Sequence, residues 1–188
     1  MATVNSYTRG MPTPDRTSLD EIVRAARELL EDSGLASLTM SAVAQRVGVR
    51  APSLYKRVRD RDALIQLVAE ATLSELAERL DRGTTVADLA DEFRAFGHER
   101  PAAFALVMTP GAGTPVAGDQ FRVAATTGIL RVAGELAGQD HALQAARTFT
   151  AWAAGFVSME LNGAFGLGGS VDDAWSFGVE TIARAMRS

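Results

Sequence analysis

Apolar residues recur along most of this chain at intervals of three and four positions, the spacing of one face of an α-helix. No stretch shows the convincing period of two that a half-buried strand requires. The pattern therefore predicts an all-α protein of about nine helices. The predicted helices lie near residues 18–34, 39–48, 52–58, 60–81, 85–98, 101–108, 119–137, 141–165 and 171–187.

Local signals mark where the first two helices begin and end. Ser18 is followed three residues later by Glu21, and this spacing predicts a reciprocal capping box. Thr39 stands in the corresponding place before the second helix. Gly34 is predicted to stop the first helix, and Gly48 is predicted to end the second by taking the left-handed conformation. The sequence thus predicts two well-defined helices separated by short turns.

The predicted elements fall into two parts. Residues 1–17, with prolines at positions 12 and 14, read as a flexible arm. Residues 18–62 form a small domain of three helices, and the helix over 60–81 links it to the remainder. Residues 63–188 are more apolar, which predicts a second helical domain with its own core.

Positive charge is concentrated in one stretch, residues 46–61. Six basic residues and one acid give this stretch +5, whereas the whole chain carries −4, so the remainder carries −9. Such a cluster is typical of a surface that binds an anionic partner, although a basic run can also be only a solvated face. Its members are Arg46, Arg50, Lys56, Arg57, Arg59 and Arg61, with Asp60 as the acid.

Composition excludes several classes of site. The chain has no cysteine, so disulfides, thiolate metal sites and thiol catalysis are excluded. The two histidines, His98 and His141, have no spaced carboxylate partner, and we expect no metal, no cofactor and no enzyme activity. Residues 113–119 have the glycine spacing of a phosphate loop but lack its lysine. No segment is apolar enough to span a membrane or to act as a secretory signal, and we expect a cytoplasmic protein.

The second and third helices, joined at Gly48 and braced by the first, have the layout of a helix-turn-helix. Leu54 and Val58 point inward, which leaves the other face of the third helix free for the major groove of double-stranded DNA. Arginine, serine and alanine can read base edges, whereas tyrosine, lysine and a helix N-terminus can bind phosphates. The residues predicted to contact DNA are Thr39, Arg50, Ala51, Pro52, Ser53, Tyr55, Lys56 and Arg61.

The stretch LTMSAVAQRVGVRAPSLYKRVRDRDALI resembles the N-terminal domain of the TetR family of transcriptional regulators. The matching positions are Thr39, Ala44, Gly48, Val49, Leu54, Tyr55 and Leu64. Val58 stands where the family usually has phenylalanine, and Arg61 where it usually has lysine. The second part loosely resembles a subgroup whose penultimate helix often carries His-Gly, although Ala154 and Gly155 occupy that place here.

The resemblance implies a homodimer that pairs through its last two helices and binds a palindromic operator, most commonly as a repressor. It also implies a small-molecule effector that releases the DNA. Aromatic and methionine side chains of the second part are candidates for an apolar pocket, although such residues at helical spacing more often belong to the core. The candidates are Phe93, Phe96, Phe104, Met108, Trp152, Phe156 and Met159.

Two alternative functions remain open at this point. A helical small-molecule-binding protein could retain a helix-turn-helix that no longer binds DNA, and an enzyme is a weakly supported second alternative. The roles of three residues also remain open. Tyr55 could be a core tyrosine rather than a phosphate contact, and Arg9 and Arg16 of the arm could enter a minor groove of DNA.

Overall fold

The computed structural model describes residues 18–187, which form ten α-helices and no strand. The predicted arm, residues 1–17, lies outside the described residues, as do Arg9 and Arg16. The all-α fold class is confirmed. The helices are α1 (Leu19–Ser37), α2 (Met40–Val47), α3 (Ala51–Leu54), α4 (Arg61–Asp81), α5 (Val86–Glu99), α6 (Pro101–Met108), α7 (Asp119–Ala124), α8 (Thr127–Ala137), α9 (Ala142–Leu161) and α10 (Val171–Ala185).

The predicted caps of the first helices are present. The Ser18 hydroxyl accepts from the backbone N–H of Glu21 at 3.1 Å, and the Glu21 carboxylate accepts from the N–H of Ser18 at 2.8 Å. The Thr39 hydroxyl accepts from the N–H of Ala42 at 3.1 Å at the start of α2. Gly34 interrupts α1 with φ of 75°, so its last turn is offset from the rest of the helix.

The small N-terminal core forms where α1, α2, α3 and the start of α4 meet. Gly48 ends α2 with φ of 79°, a left-handed conformation that costs an L-residue roughly 1–2 kcal/mol. The Val49 N–H then bonds the Ala44 carbonyl at 2.9 Å, which fixes the turn between α2 and α3. The predicted inward residues of the third helix, Leu54 and Val58, are buried. Each fully buried aliphatic side chain contributes about 1.5–3 kcal/mol to folding.

Two helices contribute to both cores. Leu64 and Val68 of α4 pack in the N-terminal core, whereas Leu76, about two helical turns after Val68, packs in the C-terminal core. α6 likewise places Leu106 in the first core and Phe104 in the second. The predicted boundary near residue 62 falls at the beginning of α4, so the two parts share a continuous helix rather than a loop.

The prediction of one helix over residues 119–137 is wrong. The structure has two helices there, α7 and α8, separated at residues 125–126. The Thr126 hydroxyl donates to the Val123 carbonyl at 2.8 Å, and this local bond competes with helix propagation. Gly128 then allows α8 to approach the end of α4, because an added Cβ would lie 2.6 Å from the Leu80 carbonyl oxygen.

Candidate nucleic-acid interface and effector cavity

One continuous exposed segment carries most of the predicted DNA contacts. Arg50 precedes α3 in an extended conformation, and Pro52 occupies the first turn of the helix. Helical hydrogen bonding continues past α3, because the Val58 N–H bonds the Leu54 carbonyl at 2.8 Å. Arg50, Pro52, Ser53, Tyr55 and Lys56 are exposed on the outer side of this turn.

Tyr55 and Ala51 differ in how far they reach solvent. The Tyr55 side chain is 55% exposed, which excludes the core position considered above. Ala51 is half-buried and packs against the N-terminal core, so only part of its methyl group is open to a ligand. Thr39 is exposed at the N-terminus of α2, and its hydroxyl proton remains available to donate while its oxygen caps the helix.

Some cations of the basic cluster form ion pairs within the fold. Arg46 forms ion pairs with Asp32 at 2.7 Å and with Glu28 at 3.7 Å on α1. Arg59 forms an ion pair with Asp60 at 2.7 Å. Hydrogen bonds from the Ala63 backbone and then from Arg59 hold the pKa of the Asp60 carboxyl below its ordinary value.

Arg61 also has structural partners. Its Nε donates to the Leu38 carbonyl and its Nη2 donates to the Leu35 carbonyl, both at 2.7 Å. These bonds join α4 to the C-terminal end of α1. Arg61 therefore has a structural role, and its contact with a phosphate stays a prediction, whereas no ion pair or hydrogen bond holds Arg50 or Lys56 within residues 18–187.

We expect Lys56→Ala and Arg61→Ala to affect different properties. Loss of Lys56 leaves the free energy of unfolding unchanged and flattens the plot of log affinity for DNA against log salt by roughly one unit, because one phosphate contact disappears. Loss of Arg61 lowers the free energy of unfolding by about 1.5–3 kcal/mol, because two charge-assisted bonds to carbonyls are removed. Urea denaturation and salt-dependent fluorescence anisotropy measure the two effects. An Arg61 variant of normal stability with a flatter salt slope would instead make Arg61 a phosphate contact.

The second part contains a cavity of about 280 Å³ between α4, α5, α6 and α9, closed on one side by the 110–118 loop and α7. Its wall is almost entirely apolar, with Leu73 and Leu76 of α4 and Phe149 of α9 as large contributors. The polar side chains in the wall are Arg122, Thr126 and Thr150. A concave apolar space with few polar groups is the usual form of a small-molecule site.

Two of the seven predicted pocket residues, Phe93 and Met108, line this cavity. Phe96 and Phe104 are instead fully buried core residues, packed between α5, α6 and their neighbours. Trp152 and Phe156 belong to an aromatic cluster around Trp175, with ring centroids 4.9 Å and 5.1 Å from it. Met159 lies on the surface of α9.

α1 contacts the second part through polar groups that the sequence prediction missed. The Glu31 carboxylate accepts from the backbone N–H groups of Ala102 and Ala103 at 3.0 and 2.9 Å, so it caps the N-terminus of α6. Arg27, one turn earlier on α1, forms an ion pair with Glu75 on α4. Glu31 lies in an acidic run, and the separation of 71 residues from Ala102 leaves no local signal of this contact.

The last two helices share an exposed and mostly uncharged face. On α9 it runs through Thr148, Ala151, Gly155 and Met159, which are spaced by three and four residues. On α10 it includes Phe177, whose side chain is 72% exposed. The two helices pack closely, because a Cβ added at Gly178 would lie 2.1 Å from the Trp152 ring.

Within residues 18–187, no helix has the length and apolar content of a membrane span. The same residues contain no group of three or more histidine, aspartate or glutamate side chains placed to hold a metal ion. His98 has a different partner, the Glu160 carboxylate, which lies 3.0 Å from its Nε2.

Two family models match the chain. Residues 22–68 match the bacterial regulatory proteins of the tetR family, and residues 86–182 match the tetracyclin repressor-like C-terminal domain. A Mycobacterium tuberculosis HTH-type transcriptional regulator, Rv1816, is 33% identical over 125 residues, which cover 61% of this chain. The chain spans about half the length of that relative, 52%.

Solved structures show the same fold at low sequence identity. BioQ, solved with its double-stranded DNA operator, has a TM-score of 0.67 at 20% identity, with 91% of this chain and 98% of that chain covered. A TetR variant from Acinetobacter baumannii AYE, solved in complex with minocycline, has a TM-score of 0.66 at 23% identity, with 92% and 99% covered.

Proposed function

Because the chain belongs to the TetR family of transcriptional regulators, we propose that it binds a palindromic DNA operator as a homodimer and releases it on binding a small apolar molecule. The relatives are regulators, so the enzyme alternative is not retained. The observation that carries the DNA-binding proposal is the exposed segment Arg50–Lys56, mounted on the buried residues Leu54 and Val58. We propose repression as the mode of regulation.

The expected operator follows from the symmetry of a dimer. Two recognition segments related by a two-fold axis read two inverted half-sites, separated by about 34 Å or one turn of B-DNA. Selection of bound sequences from random DNA, followed by fluorescence anisotropy, tests this expectation. Bound sequences without inverted symmetry would contradict the proposed dimeric mode. Failure to bind any double-stranded DNA above background would favour the alternative of a small-molecule-binding protein.

We propose that the exposed α9–α10 face mediates dimerisation. Each copy would bury Met159 and Phe177, and the small side chains beside them would let four helices pack closely. Exposed apolar side chains of this size on adjacent helices are typical of protein interfaces.

Gly155→Arg is expected to yield a monomer that keeps its helical circular-dichroism spectrum. An added Cβ at Gly155 meets nothing within 4 Å in the isolated chain, so the substitution is tolerated within one copy, whereas a guanidinium would separate two packed copies. Sedimentation velocity measures the result. Ala95→Arg, on an exposed position of α5, is the matched control and should leave the dimer intact. A Gly155→Arg dimer of normal affinity would place the interface elsewhere.

The connection between Glu31 and α6 supports the proposed response to a ligand. The C-terminal end of α6 supplies Leu106, Val107 and Met108 to the cavity wall, and its N-terminal end is held by Glu31 of the DNA-binding part. A ligand that displaces α6 would therefore change the position of α1, and with it the separation of the two recognition segments. Such a ligand weakens DNA binding by its differential affinity for the two arrangements.

A further inference from the structure

The apolar cavity has a polar mouth. Five of its wall residues, Met108, Arg122, Thr126, Ile129 and Thr150, also line an adjoining open groove between α7, α8 and α9. The groove is larger than the cavity, about 860 Å³, and more open to solvent. These shared side chains therefore form the boundary between the cavity and solvent, and we call them the mouth.

The charged side chains around the mouth are two arginines and one carboxylate, and the Thr126 hydroxyl of the mouth already donates to the Val123 carbonyl. Arg122 and Thr150 belong to the mouth itself, and Arg147 of α9 lies in the groove beside it. No hydrogen bond or ion pair of Arg147 or of the Thr150 hydroxyl occurs within the described part of the chain. Asp119 is the one carboxylate that lines the groove, and it forms an ion pair with Arg122. The two arginines and one aspartate leave a net positive charge beside an apolar interior.

We infer that the effector is an anionic amphiphile, with an apolar body in the cavity and a carboxylate at the mouth between Arg122 and Arg147. This inference rests on the proposed ligand-responsive function and adds the chemical class of the ligand. A cavity of about 280 Å³ accommodates a body of roughly nine non-hydrogen atoms, at about 30 Å³ for each water-sized group. A linear carboxylate of about ten carbons matches this size.

Asp119 would compete with the ligand's carboxylate for the Arg122 guanidinium. Its side chain is almost fully exposed, at 87%, and lies one turn before Arg122 on α7. A bound ligand carboxylate would displace the Asp119 carboxylate from the Arg122 guanidinium. In the absence of ligand, Asp119 occupies the position of the ligand's charged group. Because the Arg122 side chain is 56% exposed, solvent screens the contact and limits the gain in affinity.

Isothermal titration calorimetry with decanoate and 1-decanol, which share a ten-carbon chain and differ in charge, tests this inference at pH 7. We expect decanoate to bind roughly tenfold more tightly than 1-decanol, because a charge-assisted contact is added. Arg122→Gln should remove this preference and leave 1-decanol affinity unchanged, whereas Asp119→Asn should increase decanoate affinity. Arg82→Gln, which removes an exposed arginine at the end of α4, is the control and should preserve the preference.

Fluorescence anisotropy of an operator fragment, recorded on the same samples, separates the inference from the proposed function. Equal or tighter binding of 1-decanol overturns the anionic class and leaves the cavity as a site for neutral ligands. Absence of binding by both probes overturns the inference, while retained DNA binding would still support the regulator. Tight decanoate binding that survives Arg122→Gln and Arg147→Gln together overturns the assigned mouth.

Discussion

Replacement of Arg50 by alanine is expected to weaken operator binding by about 1–3 kcal/mol, roughly 5- to 150-fold, and to relax sequence preference at one base pair of each half-site. Arg50 is exposed immediately before α3, and within residues 18–187 no acidic side chain neutralises it. A free guanidinium at this position can donate two hydrogen bonds to the O6 and N7 atoms of guanine. Competition binding with a set of single-base operator variants measures both effects.

Arg59→Ala is the matched control for this experiment. Arg59 belongs to the same basic stretch and carries the same charge, but its guanidinium is paired with Asp60. We expect its removal to leave sequence preference unchanged. If Arg50→Ala weakens binding to all DNA sequences equally, Arg50 is a phosphate contact rather than a base contact. Unchanged affinity would remove Arg50 from the interface.

Glu31→Gln is expected to uncouple ligand binding from DNA release. The amide retains one acceptor oxygen in place of two charged ones, so it holds the N-terminus of α6 more weakly than the carboxylate does. Coupling of about 1–3 kcal/mol, a 5- to 150-fold ligand effect on DNA affinity, should fall toward zero. The affinities for DNA alone and for ligand alone should each change much less, because Glu31 lines neither site.

The measurement is a titration of operator affinity at several concentrations of a ligand identified by calorimetry. Glu28→Gln is the control, because Glu28 lies on the same helix but faces Arg46 rather than α6. If the ligand weakens DNA binding by the Glu31 variant as much as it does for the unmodified protein, the bond from Glu31 to α6 is not required. The connection would then run through α4, which also contributes to both cores. Loss of DNA binding in the absence of ligand would instead make Glu31 a residue of the DNA-binding conformation.

The basic stretch illustrates why charge counts from sequence overstate a binding surface. Six cations within sixteen residues are typical of a surface that binds an anionic partner. Arg46 is paired with residues of α1, and Arg61 bonds carbonyls 23 and 26 residues away. These partners are distant along the chain, so only the folded arrangement separates Arg50 and Lys56 from the cations that support the fold.

The candidate pocket shows the same limit for apolar residues. Helical spacing left Phe93, Phe96 and Phe104 as candidates for either a pocket or the core, and all three are buried. It does not indicate whether an inward-facing ring meets another side chain or an empty space, because that depends on the positions of neighbouring helices. Phe93 therefore lines the cavity while Phe96 and Phe104 fill the core.

The sequence by itself determined the elements whose causes lie within a few residues. These are the caps at Ser18 and Thr39, the left-handed turn at Gly48 and the inward positions of Leu54 and Val58. Tertiary structure alone decided the partners of the basic stretch, the break between α7 and α8, the cavity and its mouth, and the bond from Glu31 to α6. The physical reason is the distance along the chain over which each kind of interaction acts. Capping and periodicity act between neighbours, whereas cavities and polar contacts between helices depend on the packing of segments far apart in the chain.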